Sequence, residues 1–291
     1  MYRNIRRYFG RIPLVAYAYR AKRRIHLWLS DVRSAYLTRS TTLQATPFGF
    51  MLIGTNSIHH RAMQEGTFEP HETRLFMDLL RQVDVFVDVG ANIGFYTCLA
   101  RQSERHVVAV EPLARNLKYL YTNLVANKWE KVEIFPVGVG DSPGLAVLYG
   151  GSSTGASLIA SWAGAVRSFR QTIPLSTLDI LLGPRFVGKK LLIKVDVEGV
   201  EYLTLLGAKD TLRQEPRPIW VVEICLNEYH PEGMNPHYMA TFDKFWDHGY
   251  EARTADEHNN LIQRADVERW LQTGRCDSGT INYKFVPVEP A

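Results

Sequence analysis

The sequence has few cysteines and no long apolar run. Its three cysteines, Cys98, Cys225 and Cys276, are too scattered for a disulfide framework, and none stands in a CxxC or zinc-ligand spacing. This argues against a disulfide-stapled secreted scaffold and favours a reducing, cytoplasmic compartment. No stretch approaches the roughly 20 apolar residues of a membrane-spanning helix. The N-terminus also lacks the apolar run and small-residue cleavage site of a signal peptide, so none is expected.

Charge is distributed unevenly along the chain. Residues 1–40 hold ten Arg or Lys against one acid, Asp31, a net of +9, so the rest of a chain whose total is +4 carries −5. Apolar residues recur with helical spacing through residues 3–37. A basic amphipathic helix with aromatic residues is typical of a peripheral contact with an anionic inner membrane surface. It also fits packing on the adjoining domain or a homo-oligomer contact, and these alternatives stay open.

From about Val83 onward, short β-branched runs alternate with helical stretches, which is typical of βαβ units and a parallel sheet. The predicted strands lie at residues 85–89, 107–110, 132–137, 145–149, 191–196 and 219–224, with 249–253 and 280–285 as a half-exposed antiparallel pair. We therefore predict one α/β domain at residues 61–291, preceded by a basic helical extension at residues 1–60.

A glycine-containing turn, DVGANIG at residues 88–94, follows the first predicted strand. In open α/β sheets, ligands bind beyond the carboxyl ends of the strands. Gly90 and Gly94 permit a tight turn and a close approach of the backbone to a ligand. Asp88 places a carboxylate directly before them. The turn therefore predicts a cofactor site.

Two further acids are candidates for the same site. Glu111 ends the second strand, 23 residues after Asp88, where a carboxylate can accept hydrogen bonds from both hydroxyls of a ribose. Asp141 is a candidate acceptor for an adenine amino group, with an ordinary turn aspartate ahead of Pro143 as the alternative. For Asp88 and Glu111, the alternative is capping of the helices that follow them.

A nicotinamide cofactor is the main alternative for this turn. Such cofactors carry a pyrophosphate, which a GxGxxG turn places on a helix N-terminus. This sequence has GxxxG instead, with Asn92 where a glycine is wanted. A carboxylate such as Asp88 repels a pyrophosphate but attracts the ammonium of a methionine moiety. The turn therefore favours S-adenosylmethionine over NAD.

A second group of charges lies at the end of a buried strand, in KVDVEGVE at residues 194–201. The strand period of two places Lys194 and Asp196 on one face, and Glu198 as well if the strand continues. Charges seldom enter a central parallel strand without a partner or a function. The next strand adds Glu223. The alternative is a buried network that only holds the sheet together.

These motifs resemble those of the FkbM family of S-adenosylmethionine-dependent methyltransferases. The resemblance rests on residues 87–97, on Glu111-Pro112 and above all on residues 194–208, and it covers about residues 83–230. It implies a class I methyltransferase fold, Rossmann-like, with a mostly parallel seven-stranded sheet. It also implies O-methylation, often of sugar or polyketide hydroxyls. Residues 1–60 and the C-terminal part lie outside the resemblance, so the identity of the substrate does not transfer.

The chemistry of such an enzyme requires an acceptor oxygen aligned with the sulfonium methyl group and a base for its proton. Asp196, Glu198 and Glu223 are the candidate bases, with His230 as a further one. Lys194 can lower a carboxylate pKa or stabilise an alkoxide. A divalent metal bridging two carboxylates is another route.

We therefore predict an S-adenosylmethionine-dependent O-methyltransferase acting on a hydroxyl of a sugar-like, glycan or other small-molecule acceptor, with no nucleic-acid partner. An NAD-dependent oxidoreductase and a non-catalytic, membrane-associated cofactor-binding protein are the alternatives. The loop at residues 150–164, which contains Trp162, either closes over the acceptor or has no role.

Overall fold

A computed structural model describes residues 39–150, 155–164, 170–231 and 233–288. The amphipathic helix predicted at residues 3–37 lies outside this part of the chain. Within the described residues, no helix has the length and apolar character needed to cross a membrane.

Strands and helices alternate through most of the described chain. The strands are β1 (Gln44–Ala45), β2 (Met51–Leu52), β3 (Val85–Val89), β4 (His106–Val110), β5 (Glu133–Phe135), β6 (Gly138–Val139), β7 (Gly144–Tyr149), β8 (Arg170–Ser176), β9 (Leu191–Val195), β10 (Ile219–Glu223), β11 (Tyr250–Thr254), β12 (Leu261–Ile262) and β13 (Asn282–Pro287). The α-helices are α1 (Ile58–Glu65), α2 (Pro70–Leu80), α3 (Phe95–Gln102), α4 (Ala114–Ala126), α5 (Leu178–Leu182), α6 (Glu201–Leu206), α7 (Tyr238–Trp246) and α8 (Arg264–Thr273).

One large sheet organises the domain, in the strand order β12-β11-β13-β10-β9-β3-β4-β5. Strands β10, β9, β3, β4 and β5 are mutually parallel, and β13 runs antiparallel between β10 and β11. This arrangement confirms the predicted parallel core and the predicted antiparallel pair, and it is a class I methyltransferase fold. The sheet has an eighth strand, β12, beyond the seven predicted. This strand was not predicted because a two-residue edge strand is too short to produce a periodic pattern.

A second, smaller sheet lies beside the first, in the order β6-β8-β7. The run predicted at 145–149 forms β7 in this sheet. Its neighbour β8 was not predicted, because its sequence, RQTIPLS, contains a proline and few apolar residues, and only Ile173 is fully buried. The two sheets together frame the site described below.

The register of the central strands places residues of opposite charge next to each other. Every residue of β3 and β9 is buried, as expected for parallel strands covered on both faces. Asp88 in β3 is nevertheless the direct register partner of Lys194 in β9. The two opposite charges therefore enter the sheet side by side.

The N-terminal hairpin β1–β2 packs on the main domain. Phe50 and Leu52 are buried in the same apolar cluster as Phe76 and Phe86. These residues fall within the extension predicted at residues 1–60, whose boundary with the domain stays a prediction.

Candidate functional site

The turn after β3 has a backbone that requires glycine at two positions. Gly90 has a φ of 87°, and a Cβ there would lie 1.9 Å from the carbonyl oxygen of Asp196. Gly94 also has a φ of 87°, and its Cβ would lie 2.3 Å from Cδ1 of Leu120 in α4. Asn92 between them adopts the left-handed region, with a φ of 52°. The turn thus brings the backbone of β3 against the end of β9.

One carboxylate oxygen of Asp88 has no hydrogen-bond partner among the described residues. Its Oδ2 accepts a hydrogen bond of 2.6 Å from the Thr97 hydroxyl, while Oδ1 is buried without a partner there. Burial raises the pKa of Asp88, and the nearby Lys194 ammonium opposes the rise. A buried acceptor without a donor carries a free-energy cost of about 1–3 kcal/mol, which a bound donor would remove. This atom suits a ligand ammonium group.

Glu111 is held by the turn and by the start of α4. Its Oε2 accepts from the Asn92 amide (2.8 Å), and its Oε1 accepts from the Leu113 amide (2.8 Å) and the Asn116 side chain (3.4 Å). The bond to Leu113, the N-cap residue of α4, matches the predicted capping alternative. Burial raises the pKa of Glu111 to about 7. A carboxylate offers about four acceptor positions, so these three donors leave room for a ligand hydroxyl.

Two adjoining clefts open at the carboxyl ends of the strands. The first, here the apolar cleft, has a volume of about 630 Å³ and is lined by Val89, Val110, Glu111, Pro112, Asn116, residues 137–139, Leu148, Ala156, Leu158, Ile173 and Val200. The second, here the acidic cleft, has a volume of about 970 Å³ and is lined by His59, Met63, Phe68, Glu69, Asp88, Phe95, Tyr96, Lys194, Glu223, Tyr229, Ile281 and Asn282. Gly90, Asn92, Asp196 and Glu198 line both clefts and form the wall between them.

Lys194 is the buried cation of the acidic cleft. Its Nζ donates a 2.8 Å hydrogen bond to Oδ2 of Asp196 and lies 5.2 Å from the centre of the Tyr96 ring. Burial alone would lower the pKa of Lys194, but Asp196 and Asp88 together raise it above its ordinary value. Lys194 is therefore an ammonium donor at neutral pH, on the same strand face as Asp196 as the period of two predicts.

Glu198 and Glu223 are carboxyls whose pKa values burial raises above the ordinary range. Burial raises the pKa of Glu198 to about 8, with a further rise from the Asp196 charge. Burial, followed by the charges of Asp196 and Glu198, also raises the pKa of Glu223 well above its ordinary value. By contrast, the Asp196 side chain is 29% exposed and paired with Lys194. The structure therefore brings these candidate bases together but gives them different environments.

Trp162 connects the predicted loop to this cleft. Its buried indole donates a 2.6 Å hydrogen bond to Oε2 of Glu198, and a Cβ on Gly199 would lie 2.4 Å from the indole ring. The Ser157 hydroxyl donates to the Glu198 carbonyl at 2.5 Å. Residues 155–164 thus contact the wall between the two clefts. Closure over an acceptor stays a prediction.

Two of the predicted ionisable side chains are not brought to either cleft, and Gly94, which shapes the turn, also lines neither of them. Asp141 lies on an exposed turn, where its carboxylate accepts from the Ser142 hydroxyl at 3.1 Å. This placement matches the turn alternative and gives no support to an adenine contact. The ring of His230 packs edge-on against Trp162, with 4.7 Å between the ring centres, and burial lowers its pKa. Neither residue is among those that line the clefts.

Glu69 is a site residue that the sequence analysis missed. It is the N-cap of α2 with a φ of 40°, and its Oε2 accepts a 2.8 Å hydrogen bond from the Tyr96 hydroxyl. Burial raises its pKa to about 7, which the Lys194 charge opposes. The Glu-Pro pair marks a helix start in the sequence, but nothing in that signal brings it to Lys194.

The carboxylates of the acidic cleft are spread around its walls. Within the described residues, no group of three or more His, Cys, Asp or Glu side chains could hold a metal ion.

The sheet order and the glycine turn beside Glu111 define a class I methyltransferase fold with its ligand site at the carboxyl ends of the strands. A family model, the methyltransferase FkbM domain, matches residues 88–252. The chain belongs to this family, as its motifs predict.

Individual relatives are distant. The AMB antimetabolite synthetase AmbE of Pseudomonas aeruginosa is 24% identical over 301 aligned positions, which cover 90% of this chain and only 12% of that protein's length. A precorrin-6y C5,15-methyltransferase from Geobacter metallireducens is 11% identical, covering 73% of this chain and 83% of its own, with a TM-score of 0.37. An rRNA methylase from Streptococcus thermophilus is 11% identical, covering 73% and 90%, with a TM-score of 0.38.

Proposed function

We propose that this protein is an S-adenosylmethionine-dependent O-methyltransferase whose cofactor spans the two clefts and whose acceptor is a hydroxyl of a sugar-like, glycan or other small molecule. The observation that carries the proposal is the buried Oδ1 of Asp88, which has no partner among the described residues, beside a glycine turn that Glu111 anchors. Membership of the FkbM methyltransferase domain family supports it.

The residues present fit this cofactor. The apolar cleft takes the adenosine portion, with Glu111 accepting from the ribose hydroxyls. Gly90 keeps the wall free of side-chain atoms where the backbone meets Asp196. Asp88, in the acidic cleft, accepts from the ammonium of the methionine portion. When bound, S-adenosylmethionine supplies a sulfonium methyl group that is already activated for transfer.

The acceptor hydroxyl lies in the acidic cleft, and we assign Asp196 as its base. Asp196 is on the wall shared by both clefts, between the donor side and the acceptor side. Glu198, whose pKa of about 8 favours the protonated form, acts as a hydrogen-bond donor to the acceptor, and Glu223, whose pKa is also raised, lies near it. Lys194 holds Asp196 in place and stabilises the negative charge that develops on the acceptor oxygen.

The charges in the acidic cleft favour a neutral acceptor. Among the described residues, carboxyl groups of Glu69, Asp88, Asp196, Glu198 and Glu223 line it together with the ammonium of Lys194. Sugar-like hydroxyls both donate to and accept from such groups, whereas a phosphate or a pyrophosphate is repelled by those that ionise. The same argument disfavours the NAD-dependent alternative.

Calorimetric titration with S-adenosylhomocysteine and with NADH tests the cofactor assignment. We expect S-adenosylhomocysteine to bind with release or uptake of heat and NADH to give no saturable signal. Tight binding of NADH without a response to S-adenosylhomocysteine would contradict the proposal.

Radiolabelled methyl transfer to a panel of glycosides and small alcohols tests the reaction. A labelled product that survives mild alkali is an ether, whereas a methyl ester is cleaved. Binding of S-adenosylhomocysteine without transfer to any acceptor would instead favour the non-catalytic alternative, and loss of transfer in EDTA would favour the metal route.

A further inference from the structure

Two asparagines on α4 hold the N-terminal strand β2 as a neighbouring strand would. Asn123 accepts from the Ile53 amide (2.7 Å) and donates to the Ile53 carbonyl (3.1 Å). One helical turn later, Asn127 accepts from the Met51 amide (2.7 Å) and donates to the Met51 carbonyl (2.8 Å). Each side-chain amide therefore satisfies both backbone groups of one residue.

The spacing of the two asparagines along the helix matches the spacing of their two partner residues along the strand. Four residues of an α-helix rise by about 6.0 Å, and two residues of a strand advance by about 6.6 Å. Side chains at positions 123 and 127 are therefore spaced to pair with residues 51 and 53 at the same time. These side-chain hydrogen bonds satisfy backbone groups of residues 51 and 53 that β1 does not pair.

Asn123 differs from Asn127 in what else it binds. Its Nδ2 also donates a 2.8 Å hydrogen bond to the carbonyl of Ile93 in the glycine turn, and its side chain is fully buried. The second hydrogen bond that Nδ2 of Asn127 donates goes to the Asn123 carbonyl (2.7 Å) on its own helix. Only one of these two matched residues therefore joins β2 to the turn.

His60 and Gly54 show how closely this segment fits against the turn. The Thr55 amide donates to Nδ1 of His60 at 3.0 Å, so the neutral ring carries its hydrogen on Nε2. A Cβ on Gly54 would lie 2.8 Å from Cβ of His60 and 3.1 Å from Cδ1 of Ile93. Residues 53–60 and the turn are packed without space for an additional methyl group.

We propose that Asn123 is a positioning residue for the cofactor turn. By fixing the Ile93 carbonyl, it orients the Ile93–Gly94 peptide, whose Gly94 amide donates a 2.8 Å hydrogen bond to the Ala91 carbonyl. The Asn92 amide, which belongs to the same peptide unit as that Ala91 carbonyl, donates to Glu111. Docking of β2, which precedes the family-matched residues 88–252, is thereby coupled to the geometry that receives the ribose. The coupling to ligand affinity rests on the proposed function, whereas the coupling to the turn's geometry does not.

The variants Asn123→Asp and Asn127→Asp test the inference as a matched pair in the full-length chain. Each loses the amide donor to β2 and should lower the melting temperature, with the larger fall in Asn123→Asp because its carboxylate is fully buried. We expect the dissociation constant for S-adenosylhomocysteine to rise about tenfold in Asn123→Asp and less than twofold in Asn127→Asp. Equal affinities in the two variants would overturn the proposal. If either carboxylate variant fails to fold, the pair Asn123→Ser and Asn127→Ser replaces it.

Hydrogen exchange of the backbone amides at residues 90–94 gives a readout that needs no ligand. We expect faster exchange in the Asn123 variant than in the Asn127 variant, and equal exchange would overturn the proposal even if the wild type binds no S-adenosylhomocysteine. Absence of binding by the wild type contradicts the proposed function alone.

Discussion

The two clefts differ in the part of the chain that builds them. Every residue lining the apolar cleft lies between Val89 and Val200, within the segment that matches the family. The acidic cleft takes additional residues from outside that segment, among them Glu69 before it and Asn282 after it. The apolar cleft is therefore built wholly within the family segment, whereas the acidic cleft combines residues of that segment with residues from outside it.

The clefts also differ in how they hold their acids. Glu111 in the apolar cleft is fixed by two backbone amides, so its position does not depend on other ionisable groups. In the acidic cleft, Glu198 and Glu223 lie near Asp196, and burial and mutual repulsion raise their pKa values. Backbone amides therefore fix the acid at Glu111, whereas the ionisation states of Asp196, Glu198 and Glu223 depend on each other.

The largest expected effect is on the rate of methyl transfer, with little change in the affinity for the cofactor. Replacing Asp196 by Asn removes the proposed base, and we expect the rate of methyl transfer to fall by about 10²–10⁴-fold. The affinity for S-adenosylhomocysteine should stay within about threefold, because a positioned base contributes to the transition state. Single-turnover transfer and calorimetry measure the two, with the exposed Asp247→Asn as control. A variant with full activity would remove Asp196 from its role.

The second prediction distinguishes the two halves of the cofactor. Asp88→Asn removes a charged acceptor for the ligand ammonium, worth about 1.5–3 kcal/mol, so S-adenosylhomocysteine should bind about 10- to 100-fold more weakly. Adenosine lacks the amino-acid portion, and its affinity should not change. Glu111→Gln serves as the opposite control, because it should weaken both ligands. Equal losses for both ligands in Asp88→Asn would break the assignment of the two clefts.

The third prediction concerns the dependence of stability on pH. The pKa of Glu198 is about 8 when folded, against an ordinary value of 4.5, so the folded state retains a proton that the unfolded chain loses. Its contribution is therefore fully present below about pH 4.5 and is lost as the pH rises through 8.

The free energy of unfolding of the wild type should decline between pH 5 and 8 because unfolding releases this proton. In Glu198→Gln, we expect the decline to be smaller by up to about 1.4 kcal/mol per pH unit. Urea denaturation at several pH values measures the decline, with the exposed Glu65→Gln as the matched control. The same decline in Glu198→Gln and in wild type would show that this carboxyl is not protonated in the folded protein.

The smallest expected effect probes the part of the acidic cleft outside the family segment. Glu69→Gln keeps the hydrogen bond from Tyr96 but removes the ionisable group. Once an acceptor has been found in the panel, we expect its KM to rise about two- to tenfold, as for one lost hydrogen bond of about 0.5–1.5 kcal/mol. Binding of S-adenosylhomocysteine should be unchanged. A weaker cofactor affinity with an unchanged acceptor KM would show that Glu69 serves the cofactor and not the acceptor, contrary to the assignment of the acidic cleft.

Parts of this site were predictable because their signals are local. The glycine turn follows directly from DVGANIG, and the shared face of Lys194 and Asp196 follows from strand periodicity, confirmed by their 2.8 Å hydrogen bond. The central strands were predicted to within a few residues at their ends. The edge strand β12 was missed because a pair of residues carries no period.

The sequence by itself determined the central strands, the glycine turn and the family, because backbone conformation and hydrophobic period depend on residues a few positions apart. Only the tertiary structure placed Asp88 opposite Lys194 and left Asp141 on the surface. It also joined Trp162 to Glu198 across 36 residues, Glu69 to Tyr96 across 27 and Asn123 to Ile53 across 70. These contacts depend on how strands and helices pack, and burial in that packing, which no local pattern records, changes the ionisation of the carboxyls.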